Sequence, residues 1–190
     1  MKTLVGVLAL QGAFAAHERA LLSLGADTLQ VRTPADLSRV HALVMPGGES
    51  TTMSHLLTTS GLFDEIATRL ADGLPVFGTC AGMILLATDV ADGRPDQRSF
   101  AAIDISVQRN GYGRQIDSFE TDLVVTDLAD PFHAMFIRAP KVLRCADTVD
   151  VLATCDDVPV LARQGNVMVA SFHPELTGDA RLHEMFLQEV

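Results

Sequence analysis

Three short stretches of this chain carry residue types whose spacing suits nucleophilic chemistry. The first is "PVFGTCAGMILLA" at residues 75–87. An apolar run ends at Phe77, Gly78-Thr79-Cys80-Ala81-Gly82 follows, and a second apolar run with helical character begins. A thiol on a tight strand-to-helix turn is pushed out at the carboxyl end of a sheet. Small neighbours, here Gly78 and Gly82, permit the strained backbone of such a turn, which is the G-x-S-x-G elbow with Cys in place of Ser. The helix after Cys80 aims free amides and its positive end at the sulfur, and both favour the thiolate. The Ala81 amide is placed to stabilise an oxyanion. A free cysteine is more commonly a buried structural residue, and the G-x-C-x-G setting weighs against that here.

A nucleophile needs a base, and the base an orienting acid. The second stretch, "VMVASFHPEL" (167–176), offers both. His173 stands where an apolar strand ends, Pro174 stops the strand, and Glu175 follows two positions after His173. In an extended segment residues i and i+2 project to one side. A carboxylate could then hold one imidazole nitrogen while the other faces the thiol. H-x-E alone is a weak signal, and its bland reading is a solvated histidine at a strand end. Beside the cysteine turn it becomes a Cys80-His173-Glu175 set. Of the other histidines, His17, His55 and His183 lie on helical stretches with polar neighbours and read as surface residues, and His41 and His133 fall in connecting segments. The third stretch is "MPGGESTTM" (45–53), a glycine pair after a buried strand with a helix start at Ser50 or Thr51. Exposed amides of this kind bind anionic oxygens. No lysine follows, so it is not a phosphate loop of the G-x-x-x-x-G-K-[ST] type.

The elements that must position these residues alternate in the first half. "TLVGVLAL" (3–10) is a continuous apolar run, as expected of a parallel strand buried on both faces. "AAHERALLSLG" (15–25) has a helical stripe with Leu21, Leu22 and Leu24 near Ala16 and Ala20, and a stop at Gly25. "DTLQVR" (27–32) and "VHALVMPGG" (40–48) are strands, and 50–73 reads as one or two helices broken near Gly61. Repeated β-α units imply a parallel sheet with helices on both faces. The second half is strand-rich, over 101–110, 118–127, 148–155, 158–164 and 166–175, and implies antiparallel hairpins joined to the sheet edge. Residues 89–100 are the most loop-like, and 179–190 form an amphipathic closing helix. The expected fold is therefore α/β, one domain over 1–190.

Composition narrows the partners. Hydrophobic residues make up 48% and the formal charge is −10, which argues against nucleic acid or an anionic membrane as a main partner. No apolar run approaches the ~18 residues that cross a bilayer. The amino-terminal run has no convincing cleavage site and reads as a first strand, which points to a cytoplasmic protein. Three cysteines, Cys80, Cys145 and Cys155, with no CxxC pair, argue against a disulfide framework or a metal site.

"FGTCAGM", "SFHPEL" and "PGGES" together resemble class I, triad-type glutamine amidotransferases. "LALQGAFAAH" (8–17), "PGGESTTM" (46–53), "RNGYGRQIDSFE" (109–120) and "FIRAPK" (136–141) are similar to segments of one subfamily, the glutaminase subunits of pyridoxal 5′-phosphate synthases. The loop 89–100 and the Gly111-Tyr112 pair depart from that pattern. The resemblance implies a flavodoxin-like fold, Cys80 as nucleophile on the amide of L-glutamine, His173 as base and then acid, and Glu175 as its orienting group. It implies oxyanion amides from Gly48 and Ala81, and glutamine held by Gly47, Gly48, Glu49, Arg109, Ile137 and Arg138. A guanidinium suits the carboxylate of a free amino acid. Gln11 would lie near the active site and the partner surface. The implied partner is a barrel-shaped synthase subunit that receives the ammonia, with no metal or cofactor on this chain. In that picture the Gly47-Gly48 turn rests with its oxyanion hole incomplete until the synthase docks. Two rivals stand beside it. A glutaminase of another pathway, such as histidine biosynthesis, would share the triad but not "LQGAF" or "FIRAPK". A noncatalytic amidotransferase-like binding module would not need Cys80, His173 and Glu175 together.

Overall fold

The computed structural model describes residues 3–111 and 118–190; residues 112–117, part of the "RNGYGRQIDSFE" segment, lie outside the described residues. The first half builds β1 (Leu4–Leu8), α1 (Phe14–Ser23), β2 (Asp27–Val31), a short α2 (Pro34–Leu37), β3 (Ala42–Met45), α3 (Ser50–Thr59), α4 (Leu62–Ala71), β4 (Val76–Thr79) and α5 (Ala81–Leu86). The second half adds strands β5 (Ala87–Val90), β6 (Ile103–Gln108), β7 (Phe119–Leu123), β8 (Phe132–Phe136), β9 (Lys141–Cys145), β10 (Asp150–Cys155), β11 (Val158–Gln164) and β12 (Val167–Ala170), then a 3₁₀ turn (Pro174–Leu176) and α6 (Arg181–Leu187).

The main sheet has seven strands in the order β10-β11-β12-β4-β3-β1-β2. The run β12-β4-β3-β1-β2 is parallel throughout, and β10 and β11 extend it antiparallel at one edge. This is the expected α/β architecture. Alternation along each strand sorts its side chains into two cores. In β3, Leu43 and Met45 join Met53, Leu57 and Ile66 under α3 and α4, while Ala42 and Val44 join Leu21, Leu182 and Phe186 under α1 and α6. Helices therefore cover both faces, as parallel strands require.

The expected break between α3 and α4 falls at Gly61, whose φ of 74° is open to glycine without strain. Other expectations change. The second half is not only hairpins on the main sheet: β5-β6-β9 and β7-β8 form two further sheets, and β5 pairs with β6 in parallel. The loop-like stretch begins inside β5. His133 lies on β8, not in a connection, with its ring between Asp122 (2.8 Å) and Glu120 (2.9 Å) across the β7-β8 pair. His17 and His183, expected at the surface, are fully buried, because α1 packs by the face that carries Ala16, His17 and Leu21 and leaves Leu22 exposed. Among the described residues no helix is long and apolar enough to cross a membrane.

Candidate active site

Register explains how Cys80 and His173 meet. Thr79 pairs with Ala170 across β4 and β12, so the chains leaving these neighbouring strand ends run side by side. The Cys80 amide donates to the Ala170 carbonyl at 2.8 Å, which fixes the turn to β12. Cys80 itself sits at φ 50°, ψ −104°, a conformation side chains rarely adopt and one typical of strained functional turns. The flanking glycines are steric necessities. A Cβ on Gly82 would lie 2.1 Å from the Met45 carbonyl oxygen, and one on Gly78 would lie 2.6 Å from Leu86 Cδ1. The elbow therefore has the geometry expected from the sequence.

The Cys80 thiol lies beside the His173 ring and acts on its proton affinity. On the other side His173 Nδ1 donates to Glu175 Oε1 at 2.8 Å. The pair meets by a route the sequence did not indicate: Glu175 lies in the 3₁₀ turn, not in an extended strand. The His173 amide donates to the Met135 carbonyl of β8 at 2.9 Å and steadies the base. Burial pulls the His173 pKa down, but the neighbouring Cys80 and Glu175 outweigh it and push it up to about 10. Burial likewise works against ionised Glu175, yet its bond to His173 holds it below the usual carboxylate range. The other two thiols are set against ionisation: burial pushes both Cys145 and Cys155 up.

A cleft of about 390 Å³ opens over this set, and Gly47, Gly48, Cys80 and His173 form its floor. Glu49, Arg109, Ile137 and Arg138, four further residues expected at the site, line it as well. Gln11 stands at its edge, where its Oε1 accepts from the Glu49 amide at 3.2 Å. Ala81 lies directly after the nucleophile at the start of α5. Glu175 stands behind His173 and does not line the cleft. The Glu49 carboxylate is committed to capping α3, accepting from the Thr51 and Thr52 amides at 3.1 and 2.7 Å. The cleft also includes Gly12, Ala13, Ser50, Ile84 and Asn110, which sequence reasoning did not single out. Gly12 had a signal, since it follows the "LQG" of the β1 loop, and a Cβ there would lie 1.8 Å from the Gly47 carbonyl oxygen.

Arg109 is aimed by the stretch that read as plain loop. Its amide donates to Asp92 Oδ1 at 2.7 Å, and its Nη1 donates to Thr51 Oγ1 at 2.8 Å and Gln97 Oε1 at 3.3 Å. Gln97 in turn donates to Ser50 Oγ at 3.1 Å, and the Arg98 amide to Ser54 Oγ at 2.8 Å. Residues 91–100 thus lash the guanidinium to the start of α3. Arg138 is exposed at the far wall with φ 45°, a second strained residue on the cleft.

The arrangement can carry out acyl transfer from a small ligand bearing a carboxylate. A thiol, an imidazole backed by a carboxylate, and a glycine turn with a helix start meet at one opening. A family model described as SNO glutamine amidotransferase family matches residues 7–190. The chain is similar to the "Pyridoxal 5'-phosphate synthase subunit PdxT" of Mycobacteroides abscessus, 53% identical over 190 residues, covering 100% of this chain and 98% of that protein. It is also similar to the protein of the same name from Herpetosiphon aurantiacus, 54% identical over 186 residues, with 96% and 98% covered. Among solved structures, one described as "Crystal structure of glutamine amidotransferase" aligns with a TM-score of 0.92 at 49% identity, covering 97% of each chain. The "Structure of PurLQS from Thermotoga maritima" aligns at 0.69 with 18% identity, a likeness of fold.

Proposed function

The chain belongs to the SNO glutamine amidotransferase family, and from that premise we propose that it is the glutaminase subunit of a pyridoxal 5′-phosphate synthase. Residues 1–190 act as one glutaminase domain that hydrolyses L-glutamine to L-glutamate and ammonia in the cytoplasm. The ammonia passes to a barrel-shaped synthase subunit. The observation that carries this reading is Cys80 and His173 at the floor of a cleft walled by Arg109 and Arg138, with Glu175 behind His173.

Cys80 sulfur attacks the side-chain amide carbon of glutamine, and the carbonyl oxygen becomes an oxyanion. The amides of Gly48 and Ala81 receive that charge, and each such donor is worth roughly 2.7–4 kcal/mol in the transition state. Protonated His173 hands its proton to the leaving nitrogen, ammonia departs, and a glutamyl thioester remains. His173, now neutral, takes a proton from water, which attacks the thioester and releases glutamate and the thiol. Glu175 keeps the imidazole oriented and stabilises its charged form through Nδ1. Gly47, Gly48, Glu49, Arg109, Ile137 and Arg138 hold the substrate, with guanidinium on its α-carboxylate. The Glu49 carboxylate is spent on the cap and its amide on Gln11, so Glu49 shapes the wall beside the ligand. The turn at Gly47-Gly48 and the adjoining Gln11 form the place where the synthase subunit acts on the oxyanion hole.

The test uses the purified chain with its synthase partner and two nitrogen sources. Cys80→Ala abolishes product formation from glutamine and leaves formation from an ammonium salt intact. Full glutamine turnover by Cys80→Ala overturns the nucleophile. Failure of ammonium to rescue the variant pair overturns the ammonia-donor role.

A further inference from the structure

Behind the catalytic set lies a second polar chain that the mechanism above does not use. Glu175 Oε1 is taken by His173, while Oε2 is buried without a hydrogen-bond partner. Its neighbour is His17 Nε2, 3.4 Å away. The same His17 nitrogen is 3.2 Å from Thr79 Oγ1, the residue just before the nucleophile. The other His17 nitrogen, Nδ1, is 2.9 Å from His183 Nε2 on α6. His17, Thr79 and His183 are all fully buried, and His183 sits edge-on to Phe77 with ring centroids 5.8 Å apart. Two imidazoles in an apolar core are poorer packing than two leucines, so their place calls for a polar task.

Tautomers decide what that task is. Burial pushes the pKa of His17 down to about 4 and that of His183 down to about 3, so both rings are neutral and each carries one N–H. If His17 carries its proton on Nδ1, it donates to His183. Its Nε2 lone pair then faces the Glu175 carboxylate, and His183 Nδ1–H is left as a buried donor with no acceptor. If His17 carries its proton on Nε2, the pairing of the rings and the face toward Glu175 improve, with the Thr79 hydroxyl accepting where it would otherwise donate. His17 Nε2–H donates to Thr79 Oγ1 with Nε2 3.4 Å from Glu175 Oε2, His183 Nε2–H donates to His17 Nδ1, and the atom left over is an acceptor nitrogen, His183 Nδ1. The second arrangement leaves no buried N–H unpaired and meets a carboxylate oxygen with a donor, so it is the one the site selects.

We propose that His17 is a positioning residue for glutamine hydrolysis: its Nε2–H side lies 3.4 Å from the second oxygen of Glu175 and favours that oxygen's charge, and His183 fixes the tautomer that presents it. The inference rests on the glutaminase reading of the site. Its physical content is that both oxygens of Glu175 have an imidazole beside them, so a carboxylate that turns away from His173 Nδ1 gives up a favourable contact. Through Thr79 the same ring also braces the residue that enters the elbow.

The test separates support from packing. His17→Phe keeps the ring and removes the donor, whereas His17→Gln places an amide N–H near the former Nε2. Glutamine hydrolysis is measured with the synthase partner, beside the wild-type chain, with thermal denaturation of each variant. The expected result is a fall in kcat of about 10- to 100-fold in His17→Phe, the usual cost of removing a group that orients a catalytic ligand. KM stays within about twofold, and His17→Gln recovers most of the loss. Full turnover in His17→Phe, or an equal loss in His17→Gln, overturns the inference. A wild-type chain that does not release glutamate overturns the glutaminase reading instead. Should His17→Phe fail to fold, nitrogen-detected NMR of the histidine rings in the wild-type chain decides. A proton on His17 Nε2 supports the inference, and one on Nδ1 overturns it.

Discussion

Gly47→Ala tests the site with a single methyl group. A Cβ on Gly47 would lie 2.6 Å from His173 Cε1 and 3.3 Å from both His173 Nδ1 and Cys80 Cβ. Carbon atoms in contact sit about 3.5–4.0 Å apart, so the imidazole has to retreat by about 1 Å. It has nowhere neutral to go. Its side chain is 12% exposed, its backbone is tied to Met135, and its Nδ1 is tied to Glu175. Any retreat therefore lengthens the distance to Cys80 or the bond to Glu175. A misplacement of about 1 Å in a catalytic group costs about 100-fold in rate. The backbone does not object, because Gly47 is not among the residues with positive φ. The expected outcome is a loss of about 100-fold in kcat for glutamine hydrolysis with the synthase partner present. The thermal midpoint should shift by only a few degrees. Gly25→Ala is the control: φ is +82° and nothing lies within 4 Å of the added Cβ. It should lose about 1–2 kcal/mol of stability through backbone strain and keep its activity. Turnover within threefold of wild type in Gly47→Ala would refute the steric argument, and so would a loss that only tracks unfolding.

Two further outcomes are expected. Glu175→Gln keeps the shape of the acid but removes the charge that stabilises imidazolium, so glutamine turnover should fall steeply, and near wild-type turnover would reduce the triad to a Cys-His dyad. Stability should fall with acid: the unfolded chain protonates His17 and His183 near pH 6.5, whereas burial delays this to about 4 and about 3 in the fold, so each ring removes roughly 1 kcal/mol per pH unit as the pH drops through that window. His173, raised to about 10, is protonated in both states below 6.5 and adds no slope there, while its own contribution is lost only as pH rises toward 10. Urea midpoints at pH 7 and pH 5 check this, and a His17→Gln/His183→Gln double variant with the wild-type slope would sink it.

The elbow was legible in the sequence because its requirements are local. Gly78 and Gly82 are needed by contacts within a few residues of Cys80 and with Met45, and a strand-turn-helix pattern surrounds them. The break at Gly61 was legible for the same reason. The buried histidines were not, because the α1 stripe was drawn through leucines. Its packed face runs through Ala16, His17 and Leu21, and His17 stands one helical turn before Leu21, a spacing that does place it on the core face. His183 sits likewise between Leu182 and Phe186 on the packed side of α6. Strand β8 carries a period-2 signal, with Phe132, Ala134 and Phe136 all buried, but its five residues are too few to stand out from a connection. The bracing of Arg109 by Asp92 and Gln97 has no periodic signature. It depends on where a chain without helix or strand passes in space, which no window of sequence reports.

What joins these parts is the order of the sheet. The adjacent parallel strands β12, β4, β3 and β1 all end at one edge, and the residues that follow them are His173, Cys80, Gly47-Gly48 and Gln11-Gly12. Ligands of open α/β sheets bind outside the carboxyl ends of the strands because that is where consecutive loops converge. Here the convergence divides the labour. Strand ends, rigid through the ladder, hold the reacting groups, and the strain at Cys80 persists because Ala170, Met45 and Leu86 crowd the turn from three sides. The opposite wall comes from outside the main sheet, with Arg109-Asn110 after β6 and Ile137-Arg138 after β8. The two walls touch at the His173 amide, which bonds to the last turn of β8 through Met135. A shift of β8 therefore acts on the base directly. One backbone hydrogen bond thus joins the cleft floor on the main sheet to the wall that follows β8 on a different sheet.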